Sequence, residues 1–293
     1  MDLLTGYAVF HWIATWANPP CDLLFRAATD LGYHTFYYLA IAPLFWAVDR
    51  RRASVLFLLI LASGLLNTFA KLWVHTPRPD PGLARVLDFR PYQSGSNAFP
   101  SGHAQNAVVF WGYLAWWVNR RWFSWLAVSL IGVISFSRLY LGVHFPIDIV
   151  GGLLLGVLLM TALPRWLDRW AARDFHIGSR GFAAVTTASL LLTSLSADVT
   201  VAVICGSLIG FLIGTVYLPQ PSLLFSNSRQ SSIGVAGGLV VLLVLSGVFD
   251  TLPHQLFLLY AEVAVLWIVA LWLYPQALHR LWLAPRSVDL GMG

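Results

Sequence analysis

Apolar runs long enough to cross a bilayer recur between residues 34 and 274 of this chain, separated by short polar loops. A helix needs roughly 17–25 such residues to span the hydrocarbon core. On that measure the sequence predicts nine spanning helices, over 34–49, 53–74, 103–118, 122–138, 146–163, 181–197, 199–217, 234–250 and 256–274. The third, fourth and fifth are near the short limit. Composition agrees: 58% of the residues are hydrophobic and 11% are charged, against about 25% charged in soluble domains. The expected fold class is all-α, a polytopic integral membrane helix bundle.

The stretch 3–17 is aromatic and apolar but short, and Asn18-Pro19-Pro20 ends it. It reads as an in-plane interfacial helix, with a short tenth span as the alternative. It does not read as a cleaved signal peptide, because Asp2 replaces a positive start and Trp12, Trp16 and Pro19-Pro20 make a poor cleavage region. The two cysteines, Cys21 and Cys205, define no disulfide framework.

The formal net charge is +5, but the basic residues form small groups between apolar runs rather than a continuous stripe. That pattern reports topology, not nucleic-acid binding. Arg50–Arg52, Arg120-Arg121, the group Arg165, Arg169, Arg173 and Arg180, then Arg229, and finally Arg280 and Arg286 all fall on one side of the nine-span layout. By the positive-inside rule that side is cytoplasmic. Arg85 and Arg90 fall on the opposite side and weaken the bias without reversing it. Trp116, Trp117, Trp122, Trp125, Trp166 and Trp170 cluster beside the basic loops, as an interfacial belt does.

The opposite, extracytoplasmic side holds three stretches rich in ionisable residues: Lys71 to Pro79, Pro100 to His103, and Ser137 to Asp148. Ionisable groups beside membrane spans are costly and tend to be functional. Lys71, Arg78 and Arg138 are cations that suit phosphate oxygens, Arg as a fork and Lys as a point charge. Snorkelling to lipid headgroups would explain any one of them, but not why each accompanies a histidine or a helix start. Ser101-Gly102 precedes an apolar helix, whose free N–H groups bind anions. Taken alone it reads equally well as an ordinary helix cap. His103 could protonate a leaving oxygen. His144 and Asp148 are four residues apart, and Pro146 suits a first helical turn, so the two side chains can meet on one face. A carboxylate on one imidazole nitrogen leaves the other free to attack. His75 reads as a structural or specificity residue. Zinc ligation by His103, His144 and Asp148 is disfavoured by the surrounding cations, and no metal or cofactor is expected.

The three stretches together resemble the motifs of the type 2 phosphatidic acid phosphatase (PAP2) superfamily: K-x6-R-P, P-S-G-H and S-R-x5-H-x3-D, each position filled. The resemblance implies a metal-independent phosphatase. His144 would be the nucleophile that becomes a phosphohistidine, Asp148 would orient it, and His103 would protonate the leaving group. Lys71, Arg78, Ser101, Gly102 and Arg138 would hold the phosphoryl oxygens. The motifs cover 71–148, and the helical layout extends the likeness to 34–163. Four further spans after residue 180 depart from the common six-span lipid phosphatases and look like the glucose-6-phosphatase branch and related bacterial membrane phosphatases. The expected division is a catalytic core with the interfacial helix over 1–180 and accessory spans over 181–293.

These readings favour a lipid phosphate or prenyl diphosphate as substrate, met at the outer face of a bacterial inner membrane. The alternatives are a soluble sugar phosphate, phosphotransfer to a hydroxyl acceptor, and a transporter or binding protein on the same fold. No nucleic-acid partner is expected. The loop 80–98 is expected to set specificity.

Overall fold

The computed structural model describes residues 7–80, 82, 97–218, 228–249 and 255–283. Most of the loop expected to set specificity, with Arg85 and Arg90, lies outside them, as do 250–254 and Arg286. The described residues are helical, without strands.

Two short helices come first, α1 (Ala8–Ala14) and α2 (Pro19–Asp30). The expected interfacial helix over 3–17 is thus shorter where it is described. Asn18 does end that segment, but it also starts another helix. Its side chain accepts the Cys21 N–H at 3.0 Å, and Pro19 takes the first helical position, where its missing N–H costs nothing. The sequence reading assigned no element to α2. Its residues alternate polar and apolar around the helix and make no run of bilayer length.

Then follow α3 (His34–Ala47), α4 (Arg50–Val74), α5 (Gly102–Val118), α6 (Arg121–Tyr140), α7 (Pro146–Ala162) and α8 (Pro164–Ala171). After them come α9 (Ser179–Ser196) and α10 (Val199–Leu212), which runs on into a π-helical turn, Ile213–Tyr217. The last helices are α11 (Ser228–Phe249), α12 (Leu256–Ile268), a second π turn (Val269–Leu273) and α13 (Tyr274–Leu283).

Among the described residues, five helical stretches are long and apolar enough to cross a membrane: Arg50–Val74, Arg121–Tyr140, Val199–Tyr217, Gln230–Val248 and Leu256–Arg280. A sixth is obtained if α7 and α8, which meet at 42°, form one span. The remaining three expected spans correspond to α3, α5 and α9, with 14, 17 and 18 residues. At 1.5 Å per residue the first two fall short of a hydrocarbon core of roughly 30 Å.

The chain divides into two compact units. The first comprises residues 1–41 and 54–172, the second 42–53 and 173–293. In the first, α5 packs against α6 and α7, and α2 packs along α6. The α5–α7 contact brings backbones together: a Cβ on Gly152 would stand 2.4 Å from the carbonyl oxygen of Ser101. Small residues permit this close approach between helices in lipid, and here it places the start of α5 beside the first turns of α7.

The second unit is built on α10 and α12, again brought close through small residues, with Gly206 and Gly210 against the backbone at Tyr260 and Ala264. Trp46, from the end of α3, donates its indole N–H to Ala270 O at 2.8 Å within this unit.

Candidate active site

Backbone and side-chain hydrogen bonds tie the three sequence stretches to one another at one end of the first unit. Asn97 Nδ2 donates to Lys71 O at 2.8 Å, and the Phe99 N–H donates to Thr76 Oγ1 at 2.9 Å. Arg78 Nη1 donates to Val143 O at 2.8 Å. The Ser101 N–H donates to Asp148 O at 2.9 Å. The first stretch is thereby fixed to the third and to the residues just before the second, and the second to the third. The same end of α4, the start of α5, the end of α6 and the start of α7 converge there.

Asp148 lies in the first turn of α7 and is 1% exposed. Its Oδ2 accepts the Phe145 N–H at 2.8 Å, capping the helix, and meets His144 Nδ1 at 3.4 Å. The other imidazole nitrogen, Nε2, stands 3.5 Å from Arg78 Nη1. A guanidinium nitrogen can only donate. The arrangement therefore suits the imidazole with its proton on Nδ1, facing Asp148, and a lone pair on Nε2. This is the tautomer a nitrogen nucleophile requires.

His144 is 2% exposed and sits in the loop between α6 and α7. Burial holds its imidazole well below the ordinary value, and the charges of Arg78, Arg138 and Lys71 push it the same way. The neutral ring is thus favoured, and three expected phosphate-binding cations lie close enough to act on it.

Ser101 occupies the cap position of α5, yet its hydroxyl makes no capping hydrogen bond. It is fully buried, and Ser101 Oγ has no hydrogen-bond partner among the described residues; the same is true of His103 Nε2. Buried polar groups are nearly always satisfied, and leaving one unpaired costs about 1–3 kcal/mol. Two such groups lie within three residues, at a helix start whose first N–H groups have no intrahelical acceptor.

Arg138 is buried, and its Nη1 donates to Thr29 Oγ1 on α2. Lys71 and Arg78 are half-buried. His75 differs from the others: it is exposed and ends α4 with a positive φ of 49°, which places it as a helix terminator. Among the described residues no group of three His, Cys, Asp or Glu side chains is arranged to hold a metal ion.

Sequence reasoning missed the polar lattice beneath the site. Asn67 Nδ2 donates to Gln105 Oε1 at 2.9 Å and to Pro100 O at 3.2 Å. Gln105 Nε2 donates to Ser63 O at 2.9 Å, and Ser63 Oγ donates to Asn106 Oδ1 at 2.6 Å. All four side chains are buried. They join α4 to α5 and hold the Pro100 carbonyl just before Ser101. The signal was available, since amides inside apolar spans are expensive and usually have work to do.

Residues 52–172 match the family model described as the PAP2 superfamily. This segment belongs to that superfamily. The PAP2 segment contains all eight expected site residues, from Lys71 to Asp148. Among similar proteins, lipid phosphate phosphatase delta of Arabidopsis thaliana is 33% identical over 156 residues, 49% of this chain and 38% of that protein. Phosphatidylglycerophosphatase B of Bacillus subtilis is 34% identical over 117 residues, 36% of this chain and 54% of its own length. The chain thus spans little more than half of either relative at most. The crystal structure of a transmembrane PAP2 type phosphatidylglycerolphosphate phosphatase from Bacillus subtilis matches 55% of this chain and 83% of its own, with a TM-score of 0.47 and 26% identity.

Proposed function

We propose that the chain is a membrane phosphatase that hydrolyses a lipid phosphate or lipid diphosphate through a phosphohistidine on His144. The observation that carries the reading is the pair of buried polar atoms, Ser101 Oγ and His103 Nε2, without a partner among the described residues, in the same cluster as His144, whose Nδ1 faces Asp148 and whose Nε2 stands 3.5 Å from Arg78. A phosphoryl group satisfies all of them at once. His144 Nε2 attacks phosphorus, and the bond to the leaving oxygen breaks. That oxygen takes the proton of His103, whose imidazolium form the bound phosphate dianion favours. Water then attacks phosphorus, its proton passing to His103; the phosphorus–nitrogen bond breaks with its electron pair returning to His144 Nε2, and inorganic phosphate leaves. Ser101, the Gly102 N–H, Lys71, Arg78 and Arg138 hold the three non-bridging oxygens. Fixed positive charge of this kind supplies most of the catalysis in phosphoryl transfer, and here it does so without a divalent ion. Residues 1–180 carry the catalysis, and 181–293 are accessory spans.

The lipid assignment follows from where the site sits. Phe69, Leu72, Trp73 and Val74 are exposed around Lys71 at the end of α4, Trp73 by 90%, so a lipid-facing surface leads to the first cation. Both similar proteins named above carry a lipid substrate in their names. A buried acyl or prenyl chain contributes about 0.8 kcal/mol per methylene. In mixed micelles with EDTA, kcat/KM is expected to rise with chain length and to exceed that for glucose 6-phosphate. Equal or better efficiency on glucose 6-phosphate would replace the lipid reading with that of a sugar-phosphate phosphatase.

The pH dependence follows from His144. An ordinary imidazole is half protonated at its usual value of 6.5, whereas His144 is held well below it. The nucleophile therefore stays neutral as pH falls through 6.5 and is lost only at lower pH. The acid limb of kcat/KM, corrected for ionisation of the substrate, should lie below 6.5, because this quantity reports the free enzyme. A limb at or above 6.5 would contradict the neutral resting state.

The site faces the extracytoplasmic side of a bacterial inner membrane, a reading supported by the arginines at the opposite ends of α4 and α6, with α3, α5 and α9 completing nine spans. In a chain carrying Cys21→Ser and Cys205→Ala, a membrane-impermeant thiol reagent outside intact cells should label Asp80→Cys and spare Arg121→Cys. The reverse pattern would turn the active site to the cytoplasm.

A further inference from the structure

The corner between α2 and α3 reaches the site from a part of the chain that carries none of the three stretches. It is a tight turn, with the Gly32 N–H on Thr29 O at 2.9 Å and the Tyr33 N–H on Asp30 O at 3.2 Å. Tyr140 Oη fastens α2 to α6 by donating to Asp22 Oδ1 at 2.6 Å. Gly32 lies directly on His103: a Cβ there would stand 2.5 Å from Cδ2 and 3.1 Å from Cγ of the imidazole, and 3.0 Å from Ile134 Cγ2. The Tyr33 ring meets the same imidazole in a T-shaped pair, with centroids 4.6 Å apart and planes at 82°. Three residues before Gly32, Thr29 receives Arg138.

These contacts define what His103 can do. Its Cδ2 edge is against Gly32 and its plane is set perpendicular to the Tyr33 ring, while Nε2 is left buried with no hydrogen-bond partner among the described residues. A general acid works only within about 2.6–3.2 Å of the atom it protonates, and a misplacement near 1 Å costs on the order of 100-fold. We infer that Gly32 and Tyr33 are positioning residues for leaving-group protonation: they clamp the imidazole of His103 so that Nε2 meets the oxygen that departs. The inference rests on the role given to His103 in the proposed function. It also gives α2 and its corner a place in the catalytic centre, with Thr29 steadying Arg138 from the same turn.

The test separates aiming from mere support of the fold. A nitrophenolate leaves without help, whereas an alkoxide needs a proton. Single-turnover release of the leaving group is measured in the same micelles for 4-nitrophenyl phosphate and a long-chain alkyl phosphate, with the full-length protein. Gly32→Ala and Tyr33→Leu should lower the alkyl rate roughly 10- to 100-fold more than the nitrophenyl rate, the pattern expected of His103→Ala. Tyr33→Phe, which keeps the ring, should restore most of the lost selectivity. Gly132→Ala is the control, since none of the described residues lies within 4 Å of a Cβ there, and both rates should be unaltered. If Gly32→Ala does not yield folded protein, Tyr33→Leu and Tyr33→Phe decide alone. Equal losses on both esters, with His103→Ala still selective, would overturn the inference and leave the function standing. Equal losses in His103→Ala would remove the acid role and the inference with it, and no phosphate release by the unsubstituted protein would sink the function itself.

Discussion

His144→Ala is expected to abolish phosphate release, with a loss of at least about 1,000-fold, because no other group can take over a covalent step once its nucleophile is gone. The geometry leaves one nitrogen for that step. Nδ1 faces Asp148 at 3.4 Å, and Nε2 faces Arg78 at 3.5 Å. His103→Ala should instead slow turnover and do most harm with a poor leaving group, since it removes a proton donor and spares the attack. The measurement is steady-state release of inorganic phosphate from a long-chain lipid phosphate. Variants must first be shown to be folded by their elution in detergent.

Arg138→Ala is expected to lower kcat/KM by roughly 100- to 1,000-fold, the usual effect of removing one preorganised donor aimed at transition-state charge. Arg138 is only 7% exposed, and its guanidinium is steadied by Thr29 from α2, so it is preorganised before substrate arrives. Arg138→Lys keeps the charge but loses the planar fork, and it should remain at least about 10-fold below the unsubstituted protein. Full activity in Arg138→Lys would show that charge alone suffices there, against a forked grip on two phosphoryl oxygens.

What the sequence made legible was the part of the site written as chemistry at fixed spacing. Pro146 opens α7, and the His144 and Asp148 side chains meet as their four-residue interval allowed, while the ties from Arg78 to Val143 and from Ser101 to Asp148 bring the expected residues to one place. The long spans were legible for the same reason a membrane is simple: unbroken apolar length is the signal. The rest was hidden where that signal is weak. Helix α2 shows no apolar run, and its start at Asn18-Pro19 reads just as well as an ending. Thr29, Gly32 and Tyr33 carry no motif; only the fold brings them to Arg138 and His103. Ser63, Asn67, Gln105 and Asn106 look like interruptions of apolar helices until their pairing across α4 and α5 is seen.

The central claim is a covalent phosphoryl group on His144, and the most direct test is to trap it. The protein is mixed for a fraction of a turnover with substrate radiolabelled in the transferred phosphoryl group, quenched in alkaline detergent, which preserves a phosphorus–nitrogen bond, then digested and mapped. The account predicts label that is stable to alkali and lost in acid, carried by the peptide containing His144, and absent from His144→Ala. Label on any other residue, or undiminished turnover by His144→Ala, would contradict it.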